Sequence, residues 1–155
     1  MKLIRTACYL IALTATALAA EPPDFSGTWV MNPQKGENLG MAAAVQQTLV
    51  VTQTAEWLKQ DFTNVFQGST TTREVQYDLS GASVTNYAAM GDESDTVARW
   101  DGDNLVTTWS SEGAIAGTKV VRTETRWLSD DGDTMSVETG RDNRPSMIMV
   151  YDRRE

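Results

Sequence analysis

The sequence predicts an all-β protein, an antiparallel up-and-down β-barrel of about eight to ten strands with a short N-terminal lid or helix segment. Three observations carry this. Short segments rich in Val, Thr, Tyr and Trp recur with two-residue alternation and are bounded by Gly, Asn and Asp turns. One brief patch alone suggests a helix. Successive strands are joined by short connections, as in an antiparallel meander, and closing such a meander removes its exposed edges.

The mature domain opens on 24–32 (DFSGTWVMN), where Gly27, Trp29 and Met31 share one face of a strand and Ser26, Thr28 and Val30 the other. A glycine two residues before a large aromatic marks a place where something packs closely over the backbone, and Trp29 is read as a plug at one end of the barrel. Residues 32–40 are polar and turn-rich, and 41–45 (MAAAV) form the weak helical patch. Strands are expected at 47–52, 57–65, 70–79 and 84–89, with a tight reversal at 54–56 and a turn at 80–81. The second half is clearer: 95–100 and 105–110 flank a hairpin turn at 101–104. The longest strand, 118–128, follows a link at 112–117; a DDGD turn at 130–133 leads into 134–139, and 147–153 closes the chain.

A barrel needs a filled inside and a wet outside. In the strand 118–128, Val121, Thr123, Thr125 and Trp127 share one face and are read as interior, with Arg122, Glu124 and Arg126 outward. Trp29, Tyr77, Leu79, Trp100, Leu105, Thr107, Trp109 and Val137 join the expected interior. Aromatic walls with a few hydroxyls suit a ligand cavity, since pockets combine apolar walls with few placed polar groups. The alternative is a filled barrel whose threonines bond to the backbone. Charges on the expected outer side, Lys119, Arg122, Glu124 and Arg126, argue against a lipid-facing barrel.

Residues 1–20 read as an export signal: Lys2 and Arg5 precede an apolar run over 7–18, and Ala17-Leu18-Ala19 is a small-x-small cleavage site. The run is too short to span a membrane. The expected division is therefore a signal peptide at 1–20 and one barrel domain at 21–155, periplasmic or secreted. Without the leader, 11 basic residues face 21 acidic ones, a net charge near −10, which argues against nucleic acid or an anionic membrane as partner. Cys8 is the sole cysteine and leaves with the leader, so the mature chain has neither a disulfide nor thiol chemistry.

The stretch 25–32 with Lys35, and the close Met149-Val150-Tyr151-Asp152-Arg153, resemble the two ends of the lipocalin-like (calycin-type) barrels that bacteria export, which begin on a G-x-W strand. The resemblance implies a lipocalin-like barrel that binds a small molecule. It also implies a structural closure in which Gly27 and Trp29 are covered by a basic residue of the last strand, Arg153, with Arg154 and Arg126 as alternatives. Gly36 departs from the pattern, where a serine often follows the lysine.

Histidine is absent, which removes Ser-His and Cys-His nucleophiles, histidine metal triads and histidine-ligated haem. The acids cluster in turns at 91–95, 101–103 and 130–133, where hairpin chemistry explains them. Met31, Met135, Met147 and Met149 read as fillers of irregular gaps rather than Cu(I) ligands. The expectation is a non-enzymatic, exported carrier or sensor of a small apolar or amphipathic ligand, without cofactor, metal or membrane insertion. Tyr77, Trp100, Trp109 and Trp127 would supply its walls, Thr107, Thr123 and Thr125 its hydroxyls, and 32–45 a lid. The rival is a structural or interaction module with a filled barrel. A hydrolase or isomerase working with two converging carboxylates is a third, weaker reading.

Overall fold

Alternation, turns and strand lengths combine into one sheet. The computed structural model describes residues 21–88, 91–140 and 144–154; the export signal expected at 1–20, with Cys8, lies outside them. Ten strands occur among the described residues: β1 (Gly27–Met31), β2 (Gln46–Gln53), β3 (Trp57–Phe66), β4 (Ser69–Asp78), β5 (Val84–Tyr87), β6 (Glu93–Asp101), β7 (Asn104–Glu112), β8 (Lys119–Leu128), β9 (Thr134–Thr139) and β10 (Met147–Arg154). A 3-10 helix at Gly40–Ala44 lies between β1 and β2. All pairings are antiparallel, and β1 bonds to both β2 and β10. The sheet thus runs β4-β3-β2-β1-β10-β9-β8-β7-β6-β5, an up-and-down barrel that is all but closed.

The turns dictate the hairpins. Between β3 and β4, Gln67 (φ +49°) and Gly68 (φ +79°) are both left-handed, as the tightest hairpin turn demands. Turns near residues 54–56, 102–103 and 129–133 mark one end of the barrel, and the core fills the half nearest to them. There Phe25, Trp29, Leu49, Leu58, Val75, Tyr77, Leu105, Met135 and Tyr151 are almost wholly buried, with Leu79, Trp100 and Leu128 packed around them. The opposite ends of the strands form a mouth, bordered by the 3-10 helix.

One strand faces the other way from the sequence reading. On β8, Arg126 pairs with Leu105 and Val137, Glu124 with Thr107, and Arg122 with Trp109. Directly opposed residues point to the same face, so Arg122, Glu124 and Arg126 turn into the barrel. Val121, Thr123, Thr125 and Trp127 turn outward, and Val121 is 58% exposed. The reason is chemical: the interior here is polar, so alternation reveals the period of the strand but reverses its phase. Arg122, Glu124 and Arg126 therefore offer no argument about a lipid-facing surface.

The seam between β4 and β5 is closed by a side chain. The Asn86 amide accepts from Gln76 N–H through Oδ1 (2.9 Å) and donates through Nδ2 to Gln76 O (2.8 Å), imitating a ladder partner. Its other N–H reaches Thr96 Oγ1 (2.6 Å), which donates to Val84 O (2.8 Å). Arg73 Nη1 adds a bond to Tyr87 O (3.1 Å). Replacing Asn86 by alanine is expected to cost about 1–3 kcal/mol, the penalty for orphaning buried backbone groups. Hydrogen exchange would then show the Gln76 amide losing its protection while β7–β9 keep theirs.

Candidate functional site

Above the core, the barrel holds a cavity of about 220 Å³, lined by fourteen residues that include Leu49, Phe62, Tyr77, Trp109, Tyr151 and the charged set Arg73, Arg122, Glu124 and Arg126. It meets a wider open basin of about 890 Å³ at the mouth, formed by Met31, Met41, Val45, Phe66 and others; Gln47 and Met149 border both. Polar floor and apolar mouth together make an amphipathic site.

The guanidiniums are supported mainly by aromatic rings. Arg126 lies 5.9 Å from the Tyr77 ring centroid, Arg122 5.0 Å from Trp109, and Arg73 4.5 Å from Phe62. Tyr77 and Trp109 meet edge to face at 6.1 Å. Ring faces attract cations without neutralising them. Glu124 is the one carboxylate among the described lining residues, 3.3 Å from Arg122 Nε. That contact is an ion pair whose angle leaves the Nε–H without a hydrogen bond. Arg126, 3% exposed, makes one long bond from Nη2 to Gln60 Oε1 (3.3 Å).

The result is a surplus of donors. Gln60 Nε2, Arg73 Nε, Trp109 Nε1, Arg126 Nε and Arg126 Nη1 are buried and find no acceptor among the described residues. Burial also holds Arg73 below the usual guanidinium range, with Arg122 adding repulsion. Tyr151 donates to Gln47 Oε1, and Gln47 donates to Asn64 Oδ1 (2.7 Å), which fixes the rim.

Two phenols sit in this polar interior. Burial pushes Tyr77 up to about 12 and moves Tyr151 further in the same direction. An unfolded phenol releases its proton near pH 10, while the folded ones keep theirs, so above pH 10 the native state binds more protons. Stability from this source is intact below pH 10 and falls as pH rises, by up to about 1.4 kcal/mol per pH unit for each phenol. Absorbance at 295 nm should show these two tyrosines ionising together with loss of the β-sheet signal, not before it.

Of the expected ligand-site residues, Tyr77 and Trp109 line the cavity. Thr107 is buried and faces inward opposite Glu124. Trp100 sits at the closed end, stacked on Phe25 at 6.1 Å, and is no part of the cavity wall. Thr123, Thr125 and Trp127 lie on the outer face, so none of them lines it. The sequence reading sets Arg122, Glu124 and Arg126 outside the barrel and gives Arg73 no role in the site. A signal for them exists in the hairpin: the turn after β8 pairs Leu128 with Met135. That register places Val137 opposite Arg126, so Val137 and Trp127 cannot both face inward.

At the closed end, Trp29 is fully buried, and its Nε1 donates to Phe25 O (2.9 Å). The Arg153 guanidinium lies 4.2 Å over the ring and donates from Nη1 to Ser26 O (2.7 Å) and from Nε to Gly132 O (2.9 Å). Gly27 holds φ +136°, and an added Cβ would stand 2.6 Å from Arg153 Nη1. Only glycine leaves room for the clamp.

No family model matches this sequence, and no curated protein sequence does. Solved structures do match. Human cRBP IV is 16% identical with a TM-score of 0.66, covering 86% of this chain and 100% of that one. A mutant of the fluorescent protein UnaG is 17% identical with a TM-score of 0.67, covering 84% and 96%. Fatty-acid-binding protein 1 of Echinococcus granulosus is 17% identical with a TM-score of 0.63, covering 84% and 98%. The chain therefore shares the β-barrel fold of these proteins.

Proposed function

We propose that this chain is an exported, non-enzymatic carrier or sensor of a small amphipathic molecule, whose acidic end enters the cavity and whose apolar part fills the mouth. One observation carries the reading: the cavity buries cationic and neutral N–H donors with no acceptor among the described residues. A barrel packed only for stability gains nothing from an enclosed guanidinium, because an unpaired buried charge is costly. A ligand carboxylate supplies the missing acceptors, and hydrogen bonds to charged groups are the stronger kind. Met31, Met41, Val45, Phe66 and Met149 offer a yielding apolar wall for the remainder. The Echinococcus granulosus neighbour, a fatty-acid-binding protein by name, is consistent with an amphipathic acid. Export rests on the leader pattern at 1–20. Outward charges at Lys59, Asp61 and Glu74 and the overall acidity support a ligand carrier in water over a lipid-embedded barrel or a nucleic-acid binder. In this reading the segment 32–45, with its 3-10 helix at the rim and Met41 80% exposed, would act as a lid.

The test is a titration of the purified protein with laurate. Tryptophan emission should change through Trp109, and saturation at a hundred times Kd should add about 2.7 kcal/mol of stability. If both emission and melting temperature stay constant across a series of amphipathic acids, the carrier reading is wrong.

A further inference from the structure

The proposed binding site carries more positive charge than a simple monoacid satisfies. Three guanidiniums line the cavity, Arg73 from β4 and Arg122 and Arg126 from β8, against the single carboxylate of Glu124 among the described lining residues. Glu124 pairs with Arg122, 3.3 Å away, and although its field also reaches Arg73 it offsets only one of the three charges. Arg73 and Arg126 then remain, on different walls of one 220 Å³ space. Their other contacts are neutral: Phe62 and the Tyr87 carbonyl for Arg73, Tyr77 and the Gln60 amide for Arg126. Each also keeps a buried N–H without an acceptor among the described residues, Nε on Arg73, Nε and Nη1 on Arg126. The phenols of Tyr77 and Tyr151 cannot balance the charge, since burial keeps both protonated.

We infer that the ligand brings two negative charges on one compact end, as a closely spaced dicarboxylate or a phosphate monoester does, with an apolar part directed to the mouth. This rests on the binding function proposed above and narrows its ligand class. One charge answers Arg126 at the floor and the other answers Arg73 across the cavity. A monoacid leaves one of the two uncompensated inside a low-dielectric space, where an unpaired charge is most costly. The apolar part is held by the mouth, so chain length tunes affinity, while the two-charge end sets selectivity.

The experiment compares four probes that each carry an unbranched chain of eleven or twelve apolar carbons, titrated at pH 8 into the intact protein and followed by tryptophan emission: dodecanol, laurate, dodecylsuccinate and monododecyl phosphate. Both doubly charged probes should bind about tenfold or more tightly than laurate, and their affinity should fall more steeply with added salt. Preference between succinate and phosphate identifies the acid. In Arg73→Gln the advantage of the doubly charged probes over laurate should shrink below about threefold, whatever the absolute affinities do, while Lys59→Gln on the outer wall should leave it intact. The comparison on the unaltered protein decides the question even if the Arg73 variant does not fold. Equal affinity for laurate and the doubly charged probes overturns this inference and leaves the single-acid reading standing. Dodecanol binding as tightly as every acid, or no probe binding, overturns both.

Discussion

Replacing Trp29 by alanine is expected to lower the melting temperature by about 10–20 °C, from a loss of about 3–5 kcal/mol. The indole is fully buried at the closed end, so its removal leaves a void where neighbours are already held by backbone pairing on both sides of β1. The loss extends beyond apolar area. Arg153 covers the ring and reaches both Ser26 O and Gly132 O, so one side chain joins the N-terminal segment to the turn before β9. Without the ring beneath it, that guanidinium loses its support as well as its cation–π contact. Trp127→Ala supplies the contrast. Trp127 lies on the outer face of β8, and its truncation should cost less than about 1 kcal/mol. Thermal denaturation followed by circular dichroism separates the two, and a comparable loss in both variants would contradict the face assigned to β8.

Arg126→Met should do the opposite of what a buried substitution usually does. Methionine keeps much of the length and apolar stem while removing a charge that has one 3.3 Å bond and two unanswered N–H groups. The expected outcome is a melting temperature equal to or above that of the parent protein, with affinity for laurate reduced about 10- to 100-fold, the worth of one or two hydrogen bonds to a charge. Rising stability with falling affinity is the mark of a residue kept for binding at the expense of folding. Differential scanning calorimetry and the laurate titration measure the two quantities on one sample. A variant that melts lower yet binds laurate unchanged would make Arg126 a structural residue and the cavity incidental.

The strand pattern is largely legible in the sequence because turn chemistry is local. The hairpin at 101–104 and the DDGD turn follow from residues whose backbone preferences need no knowledge of the rest of the chain. The helical patch at 41–45 corresponds to the 3-10 helix at Gly40–Ala44, since a run of alanines favours a helical turn wherever it falls. The site is less legible, because the inward face of a strand is a tertiary fact. Reading polar as outward works for Arg99 and Asp101 on β6, whose inward neighbours are Ala98 and Trp100. It fails for Arg122, Glu124 and Arg126, where the barrel encloses polar chemistry. Trp100 departs from expectation for a different reason. Its inward direction agrees with the alternation, but its height along the barrel is fixed by the turn that follows, which sets it beside Phe25 at the closed end.

The seam at Asn86 differs in kind from the other joints of the barrel. Nine junctions between neighbouring strands are made of main chain, so exchanging one side chain for another leaves their hydrogen-bonding groups in place unless proline is introduced. The tenth rests on side chains, chiefly that of Asn86, with Arg73 adding one bond. Exchanging this asparagine should loosen the perimeter at this one seam while the other nine junctions stay paired.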